Sequence, residues 1–329
     1  MTGKGARGPI ARLAGDDGLP TARNCGGHRS GHAEGSRGVN PPGPVRAARR
    51  LTKRAFRQRE QAFLAEGPQA VAEALSYGAK VSDLFVTAAA RSRHSELVTA
   101  AEGAGVPVHL VSGEVMEDLA QTITPQGLLA ICGFVDVPLA QVVSELKGAS
   151  RAPGGERENR VARSAPALVA LLANVRDPGN AGTVLRTADA AGAQAVVFAD
   201  ASVDPYNGKC VRASAGSLFH LPVVAGARLE EAVVAMRQAG LRIVAADGRA
   251  GRPLDDPDVQ ARLSEPTAWM FGNEAWGLPP DLVALADEPV AVPIYGNAES
   301  LNLAAAAAVC LYASARSQRV HSVTGQAGT

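Results

Sequence analysis

The sequence runs to 329 residues, 46% of them hydrophobic, 20% charged and 4% aromatic, which suits two domains with packed cores and excludes a wholly disordered or collagen-like chain. Four cysteines (Cys25, Cys132, Cys210 and Cys310) are too few for a disulfide scaffold and fit a reducing cytosol. The net charge of +1 hides an uneven distribution: residues 1–60 hold 13 basic and 4 acidic side chains (net +9), leaving 20 basic and 28 acidic in 61–329 (net −8). Such an arm fits a polyanionic partner or a plain solvated tail, and charge alone leaves both readings open.

The longest apolar run, Leu303 to Ala313, is well short of the roughly 20 residues that a membrane span requires. The N-terminus has no apolar core of the signal-peptide kind. A cytoplasmic protein without membrane contact is expected.

Residues 1–44 are glycine-rich and punctuated by arginines, closing on Asn40-Pro41-Pro42-Gly43-Pro44. This composition predicts a disordered basic tail. Cys25, His28 and His32 have metal-like spacing but lack a fourth partner, so no metal site is expected. A basic helical stretch is predicted from Arg46 to Glu60, followed by Phe63-Leu64-Ala65-Glu66-Gly67 and an amphipathic run through Val71, Ala74 and Leu75. Short apolar strands come next, at Leu84–Val86, Val106–Val111 and Leu128–Val135, with Thr124-Pro125-Gln126-Gly127 as a tight turn before the last. Their alternation with helices predicts a small α/β domain over 45–140. A polar, glycine-containing linker is read over 141–164.

A second α/β domain is expected over 165–318, with a flexible tail at 319–329. Its predicted strands are Ala167–Ala173, Ala195–Phe198, Leu221–Val224, Leu241–Ala246, Ala268–Phe271 and Val290–Val292. Its principal helices are predicted at Thr183–Ala191, Leu229–Ala239 and Leu301–Arg316. Near-continuous apolar strands suit a mostly parallel sheet covered on both faces. In such sheets ligands bind beyond the carboxyl ends of the strands, which directs attention to the loops after Asn174, Gly272 and Val292.

Each of those loops carries polar residues. In Asn174-Val175-Arg176-Asp177-Pro178-Gly179-Asn180-Ala181-Gly182-Thr183-Val184-Leu185-Arg186 a strand gives way to a glycine-containing turn and then a helix. Such a turn can cradle a phosphate on free N–H groups, or it can be a plain connection. Gly179 and Gly182 lack the further glycine of a dinucleotide fingerprint, although Asp200 at the end of the next strand keeps a nucleotide-binding dehydrogenase as an alternative. Gly272-Asn273-Glu274-Ala275-Trp276-Gly277-Leu278 brackets an acid with glycines, allowing close backbone approach. In the third loop Ser300 is placed to cap the alanine-rich helix, with Asn302 beside it.

Together and in this order, the three segments resemble the SpoU (TrmH-like) family of RNA ribose 2′-O-methyltransferases in the SPOUT superfamily. Motif one lies at Asn174 to Arg186 and continues to Gly192, motif two at Gly272-Asn273-Glu274 to Leu278, and motif three at Ser300-Leu301-Asn302. Residues 50–135 resemble the ribosomal-protein-like (L30e-like) substrate-binding domain that precedes the catalytic one in many members. The resemblance implies an α/β, parallel-sheet SPOUT domain with a trefoil knot, S-adenosylmethionine as cofactor, an RNA partner and a homodimer. It assigns the catalytic set to Arg186, Asn180, Glu274, Ser300 and Asn302, and cofactor binding to Gly272, Val292, Ile294 and Leu301. The dimer stripe it implies is Leu301, Ala304, Ala308, Leu311 and Tyr312.

A ribose hydroxyl is a poor nucleophile, so positioning and a cation near the incipient alkoxide supply much of the rate. Arginine is nearly always protonated, so Arg186 suits electrostatic stabilisation at once and proton removal only in an unusual pocket. Lys209, Arg212, Ser214 and Ser217 form a candidate phosphate clamp for RNA, while His220 is expected at a strand edge in the core. The leading expectation is a methyltransferase acting on ribosomal RNA, with transfer RNA as the alternative target. An RNA-binding protein without catalysis is disfavoured by the intact motif residues.

Overall fold

The structure, a computed structural model, describes residues 43–149 and 166–326. The predicted tail up to residue 42, the Cys25/His28/His32 spacing and positions 150–165 of the expected linker lie outside the described residues.

The basic stretch forms two helices, α1 (Gly43–Arg50) and α2 (Arg54–Glu60). They are separated at Leu51–Lys53, where the chain turns to bury Leu51 beside Val45 and Ala48. Gln61 closes α2 in the left-handed region (φ +49°) and hands the chain to β1 (Ala62–Glu66). Then come α3 (Pro68–Ser76), β2 (Val81–Thr87), α4 (Ala88–Arg93), α5 (Ser95–Gly103), β3 (Val108–Val111), α6 (Gly113–Leu119) and β4 (Leu128–Gly133). These strands form a four-stranded sheet in the order β1-β4-β2-β3. Its side chains alternate between two apolar layers as the period of two requires: Phe63, Ala65, Leu84 and Val86 on one face, Leu64, Phe85, Leu129 and Ile131 on the other.

Part of the expected linker is helical. Helix α7 (Leu139–Ala149) packs Val142 and Leu146 onto the second sheet. That sheet is built from β5 (Leu168–Ala173), β6 (Ala195–Ala199), β7 (Val223–Ala227), β8 (Arg242–Ala246), β9 (Thr267–Phe271) and β10 (Glu288–Val290). It is six-stranded, in the order β10-β8-β9-β5-β6-β7, and every pairing is parallel. Strands β7 and β10 are displaced by about two residues from the predicted positions. Pro222 uses its carbonyl to accept from Val196 before the β7 strand proper begins, and Ala291 after β10 bridges to Pro253 instead.

One face of this sheet is covered by α8 (Pro178–Ala191), α9 (Gly208–Ser214) and α13 (Leu303–Gln326), the other by α7 and α10 (Leu229–Gln238). The short helices α11 (Pro257–Arg262) and α12 (Pro280–Val283) complete the domain. Helices α8 and α9 cross closely at Gly182, where a Cβ would sit 2.4 Å from the Cys210 carbonyl oxygen, so a larger residue is excluded there. Helix α13 lays Ala304, Ala307, Leu311 and Ala315 against the sheet, and the Trp269 indole donates to Ser314 Oγ at 2.9 Å. It continues past the predicted end at Arg316 and through most of the expected tail. The predicted apolar stripe therefore divides: Ala304 and Leu311 are buried within the protomer, Ala308 is half-buried, and Leu301 and Tyr312 are exposed, as are Val309 and Val320 outside the stripe.

The two sheets belong to one compact unit and share an apolar core that runs without a break between them. At the junction Tyr206 stacks on Phe134 (ring centroids 3.8 Å apart) and lies 4.7 Å from Phe63. Its hydroxyl accepts from the Val135 and Asp136 amides and donates to the Asp136 carboxylate at 2.5 Å. Arg57 pairs with Asp204 at 2.8 Å with both side chains 4% exposed, and it also donates to the Leu51 and Thr52 carbonyls. His220 lies beyond a 3₁₀ turn (Ser217–Phe219), not on a strand as expected, with Nδ1 2.7 Å from Asp189 and Nε2 3.2 Å from Glu73. Among the described residues no helix is long and apolar enough to cross a membrane.

Candidate active site

Strand β5 delivers the first loop. Asn174 turns the chain in the left-handed region (φ +57°), and Asp177 then caps α8, its Oδ1 accepting from the Asn180 amide at 2.8 Å, with Pro178 at the first helical position. The helix starts five residues before the predicted Thr183. An aspartate followed by proline is itself a start signal, so this boundary was readable. Lys209 Nζ lies 2.7 Å from Asp177 Oδ2, and this ammonium, with the Asn180 amide, holds the Asp177 carboxyl below the usual carboxylate range.

Strand β9 delivers the second loop. Asn273 and Gly277 exchange backbone hydrogen bonds at 3.0 and 2.9 Å, closing a tight ring. Gly272 makes the ring possible, because a Cβ there would sit 2.4 Å from the Gly277 carbonyl carbon. The ring aims Glu274 at the start of α8. The Glu274 carboxylate accepts from the Arg176 amide (3.1 Å) and the Asp177 amide (2.9 Å), with Asn180 Nδ2 at 3.4 Å. Asn273 adds a bond from its amide to the Asn174 carbonyl at 2.9 Å.

The third loop leaves β10 at the sheet edge and returns over the sheet to α13. Asn302, rather than the predicted Ser300, caps that helix: its Oδ1 accepts from the Ala304 amide (2.9 Å) and its carbonyl from Ala306 (2.9 Å). Its Nδ2 donates to Asn180 Oδ1 at 3.0 Å. Glu274, Asn180 and Asn302 thus form one connected set from three loops that are far apart in sequence. Ser300 is exposed, two residues outside the cap.

Arg186 sits six residues after Asn180 on α8, about 9 Å along the axis. It shares an exposed ridge with Thr183, and its guanidinium has no partner among the described residues. The structure therefore joins four of the motif positions in two groups: a bonded trio at the head of α8 and a free cation two turns further on. The four expected cofactor positions lie on the second and third loops. Gly272 is buried in the second loop, Val292 is half-buried, and Ile294 and Leu301 are 37% and 40% exposed on the third. Apolar side chains left open beside a polar cluster fit an adenosine-bearing ligand. Among the described residues no group of three or more His, Cys, Asp or Glu side chains is placed to hold a metal.

The candidate RNA clamp does not gather at one place. Lys209 is exposed at the rim beside Asp177. Arg212 instead reaches across the domain junction to Glu66 at 2.9 Å, and the Ser214 and Ser217 side chains are buried, Ser214 donating to the Val211 carbonyl. The reading also missed Arg176, whose exposed side chain stands next to Lys209's partner Asp177. No local pattern marks Glu66 and Arg57 as junction residues, because their partners are 146 and 147 positions away.

Comparison with known proteins accords with this arrangement. A model of the SpoU rRNA Methylase family matches residues 167–312, and one of the MRM3-like substrate binding domain matches residues 43–130. A 23S rRNA (guanosine(2553)-2′-O)-methyltransferase, RlmP of Bacillus subtilis, is 33% identical over 268 residues, covering 82% of this chain and 94% of the relative. Among solved structures, the SpoU methyltransferase AviRb of Streptomyces viridochromogenes in complex with AdoMet superposes with a TM-score of 0.69 at 27% identity, covering 85% of this chain and 99% of that one. An AdoMet-bound rRNA methyltransferase from Sinorhizobium meliloti superposes with a TM-score of 0.66 at 29% identity, covering 84% and 95%. With a catalytic-domain match, a substrate-domain match and near full-length similarity in register, the chain belongs to the SpoU rRNA methylase family.

Proposed function

We propose that this protein methylates a ribose 2′-hydroxyl of 23S ribosomal RNA, a target taken from its relatives' names. Donor and reaction class come with family membership: the chain is an S-adenosylmethionine-dependent RNA ribose 2′-O-methyltransferase. The observation that carries the residue assignment is the Glu274–Asn180–Asn302 set, which brings the three loops to one place at the head of α8, the helix that carries Arg186. When bound, the cofactor supplies an electrophilic methyl group on a sulfonium. In this reading Gly272, Val292, Ile294 and Leu301 line its site, and Glu274 fixes the backbone of Arg176 and Asp177. Arg186 faces the ribose oxygen and lowers the cost of its developing negative charge, while Ser300 contacts the substrate from the exposed third loop.

The finer architecture belongs to the same reading. Return of the chain from the edge strand β10 to the middle of the sheet supports a trefoil knot, and the mixed four-stranded sheet with flanking helices supports an L30e-like substrate domain. The exposed Leu301, Val309 and Tyr312 support a homodimer across α13. Lys209 with Arg176 forms the cationic rim that meets phosphate. A ribosomal RNA substrate supports a cytoplasmic location.

The test is transfer of labelled methyl from S-adenosylmethionine to transcripts of 23S ribosomal RNA and of transfer RNA, followed by alkaline hydrolysis. Ribose methylation removes the nucleophile of alkaline cleavage, so the label should emerge in alkali-resistant dinucleotides from 23S rRNA. Label in mononucleotides, or only in transfer RNA, would reject the proposal.

A further inference from the structure

A second concave site lies away from the three loops, between the domains. It is a cleft of about 220 Å³ at the carboxyl ends of β6 and β7, the edge of a parallel sheet at which ligands bind. One wall is α2 and its cap: Arg54 and Gln58 lie one turn apart on one face of the helix, and Gln61 follows at its left-handed end. The other wall carries Asp136 and Asp200. Between the two walls stands the half-buried Phe134 ring, backed by the buried Tyr206 on which it stacks.

The free valences of this cleft are complementary. The Arg54 guanidinium and the Gln58 amide have no partner among the described residues, and Gln61 uses only its NH₂, on the Gln58 carbonyl at 2.7 Å. Asp136 employs one oxygen on the Tyr206 hydroxyl, and Asp200 employs one on the Leu229 amide at 3.1 Å, leaving an acceptor on each. Asp204 is already neutralised by Arg57. Donors and acceptors thus face each other across a flat aromatic wall, the combination that the polar edge and π-face of a nucleobase satisfy. The cleft is smaller than the roughly 300–1,000 Å³ of sites that enclose drug-sized ligands, so it admits a base and leaves ribose and phosphate outside. There the exposed side chains of Lys53 and Arg54 stand ready for phosphate.

The floor connects to the active site. The Val203 amide donates to the Val175 carbonyl at 2.8 Å, and Ser202 Oγ bridges the Val175 amide and the Leu172 carbonyl. Val175 immediately precedes Arg176, whose amide Glu274 holds. A base seated here would lie at a fixed offset from the nucleotide undergoing methylation.

We propose that this cleft receives one nucleobase of the substrate RNA, distinct from the nucleotide whose ribose is methylated, and thereby helps to select the target. The inference rests on the RNA methyltransferase reading. It is tested on the full chain with transcribed 23S rRNA carrying 4-thiouridine or 6-thioguanosine, irradiated, digested and mapped by peptide mass spectrometry. Crosslinks are expected in peptides spanning 54–61, 134–136 or 200–206. Kinetics of Arg54→Ala and Gln58→Ala, both at exposed helix positions, should show the KM for RNA rising about tenfold, the equivalent of one lost recognition contact. The KM for S-adenosylmethionine should stay at the wild-type value.

Crosslinks confined to other surfaces, with an unchanged KM for RNA in both variants, would overturn the proposal. So would saturable binding of a nucleoside monophosphate that Gln58→Ala abolishes, without RNA crosslinks in the cleft, because the base would then come from a free nucleotide. Failure of the wild-type protein to methylate any rRNA would strike the functional reading itself, and the crosslinks would report on the cleft independently of it.

Discussion

The side-chain amide of Asn302 donates to Asn180 Oδ1 at 3.0 Å while its own Oδ1 caps α13. One residue therefore serves both as a helix cap and as the tie between the third and first loops. The two duties separate by substitution. Asn302→Ala removes both, and thermal unfolding should show a loss of about 1 kcal/mol, the usual worth of a cap. Asn302→Asp keeps an acceptor at the helix start and should restore stability. Its carboxylate cannot donate to Asn180, so methyl transfer should stay depressed in both variants, by about 10²-fold if the loops separate by an ångström.

Glu274→Gln tests the ring that positions the head of α8. The carboxylate accepts from two backbone amides on different oxygens. Glutamine would turn an NH₂ toward one of them. A destabilisation of about 1.5–3 kcal/mol is expected, as for loss of a hydrogen bond to a charged group. Denaturant titration checks it, and the transfer rate should fall in parallel.

The exposed Arg186 guanidinium has no hydrogen-bond or ion-pair partner among the described residues, so its replacement is expected to leave folding intact. Arg186→Ala should lower methyl transfer by about 10²–10³-fold, the range for removing one charge-stabilising donor. Calorimetric titration should find S-adenosylmethionine affinity unchanged. Loss of cofactor affinity with normal turnover at saturation would remove Arg186 from its assigned place.

Arg57→Met removes one partner of a pair that is 96% buried on both sides. An uncompensated buried carboxylate costs about 3–5 kcal/mol, and calorimetry should record a markedly lower unfolding temperature. The double variant Arg57→Met/Asp204→Leu should recover much of the loss. The two carbonyls that lose the Arg57 donor, those of Leu51 and Thr52, decide how much.

His220 makes the domain junction pH-dependent. Burial works against its charged form, but hydrogen bonds to Asp189 and Glu73 outweigh that and hold its pKa above the 6.5 of a free imidazole. The Tyr77 ring, tilted by 34° with its centroid 4.4 Å away, completes its surroundings. A raised native pKa means the folded state binds the proton more tightly than the unfolded one. The stabilisation is therefore fully present below pH 6.5 and is lost as pH rises through the native value. Unfolding temperatures of the wild type and His220→Gln, compared between pH 5 and pH 9, should differ most at the acid end and converge at the alkaline end.

Much of this architecture was readable because it is written in local patterns. The all-apolar runs of β5, β6 and β9 declare strands buried on both faces, and the glycines around Glu274 declare a tight loop. Where the reading slipped, a tertiary contact had overridden a local preference. Ser300 has the chemistry of a cap, yet Asn302 takes the position because Asn180 holds its amide. Ala304 and Leu311 share a helix stripe with exposed neighbours, yet contact with the sheet divides them from Val309 and Tyr312. Lys209 and Arg212 are three apart on α9 and read as a pair, but one faces Asp177 and the other crosses to Glu66. His220, Arg57 and Asp204 carry no local signature, since their meaning lies in partners contributed by the other domain.

The unbroken packing of Phe63 and Phe134 against Tyr206 joins the two sheets by side-chain contact. The offset between the proposed base cleft and Arg186 is then set by side-chain contact. An RNA must bring its own fold to that offset, so selection of the methylated sugar becomes a matter of measured length as well as of which bases are read.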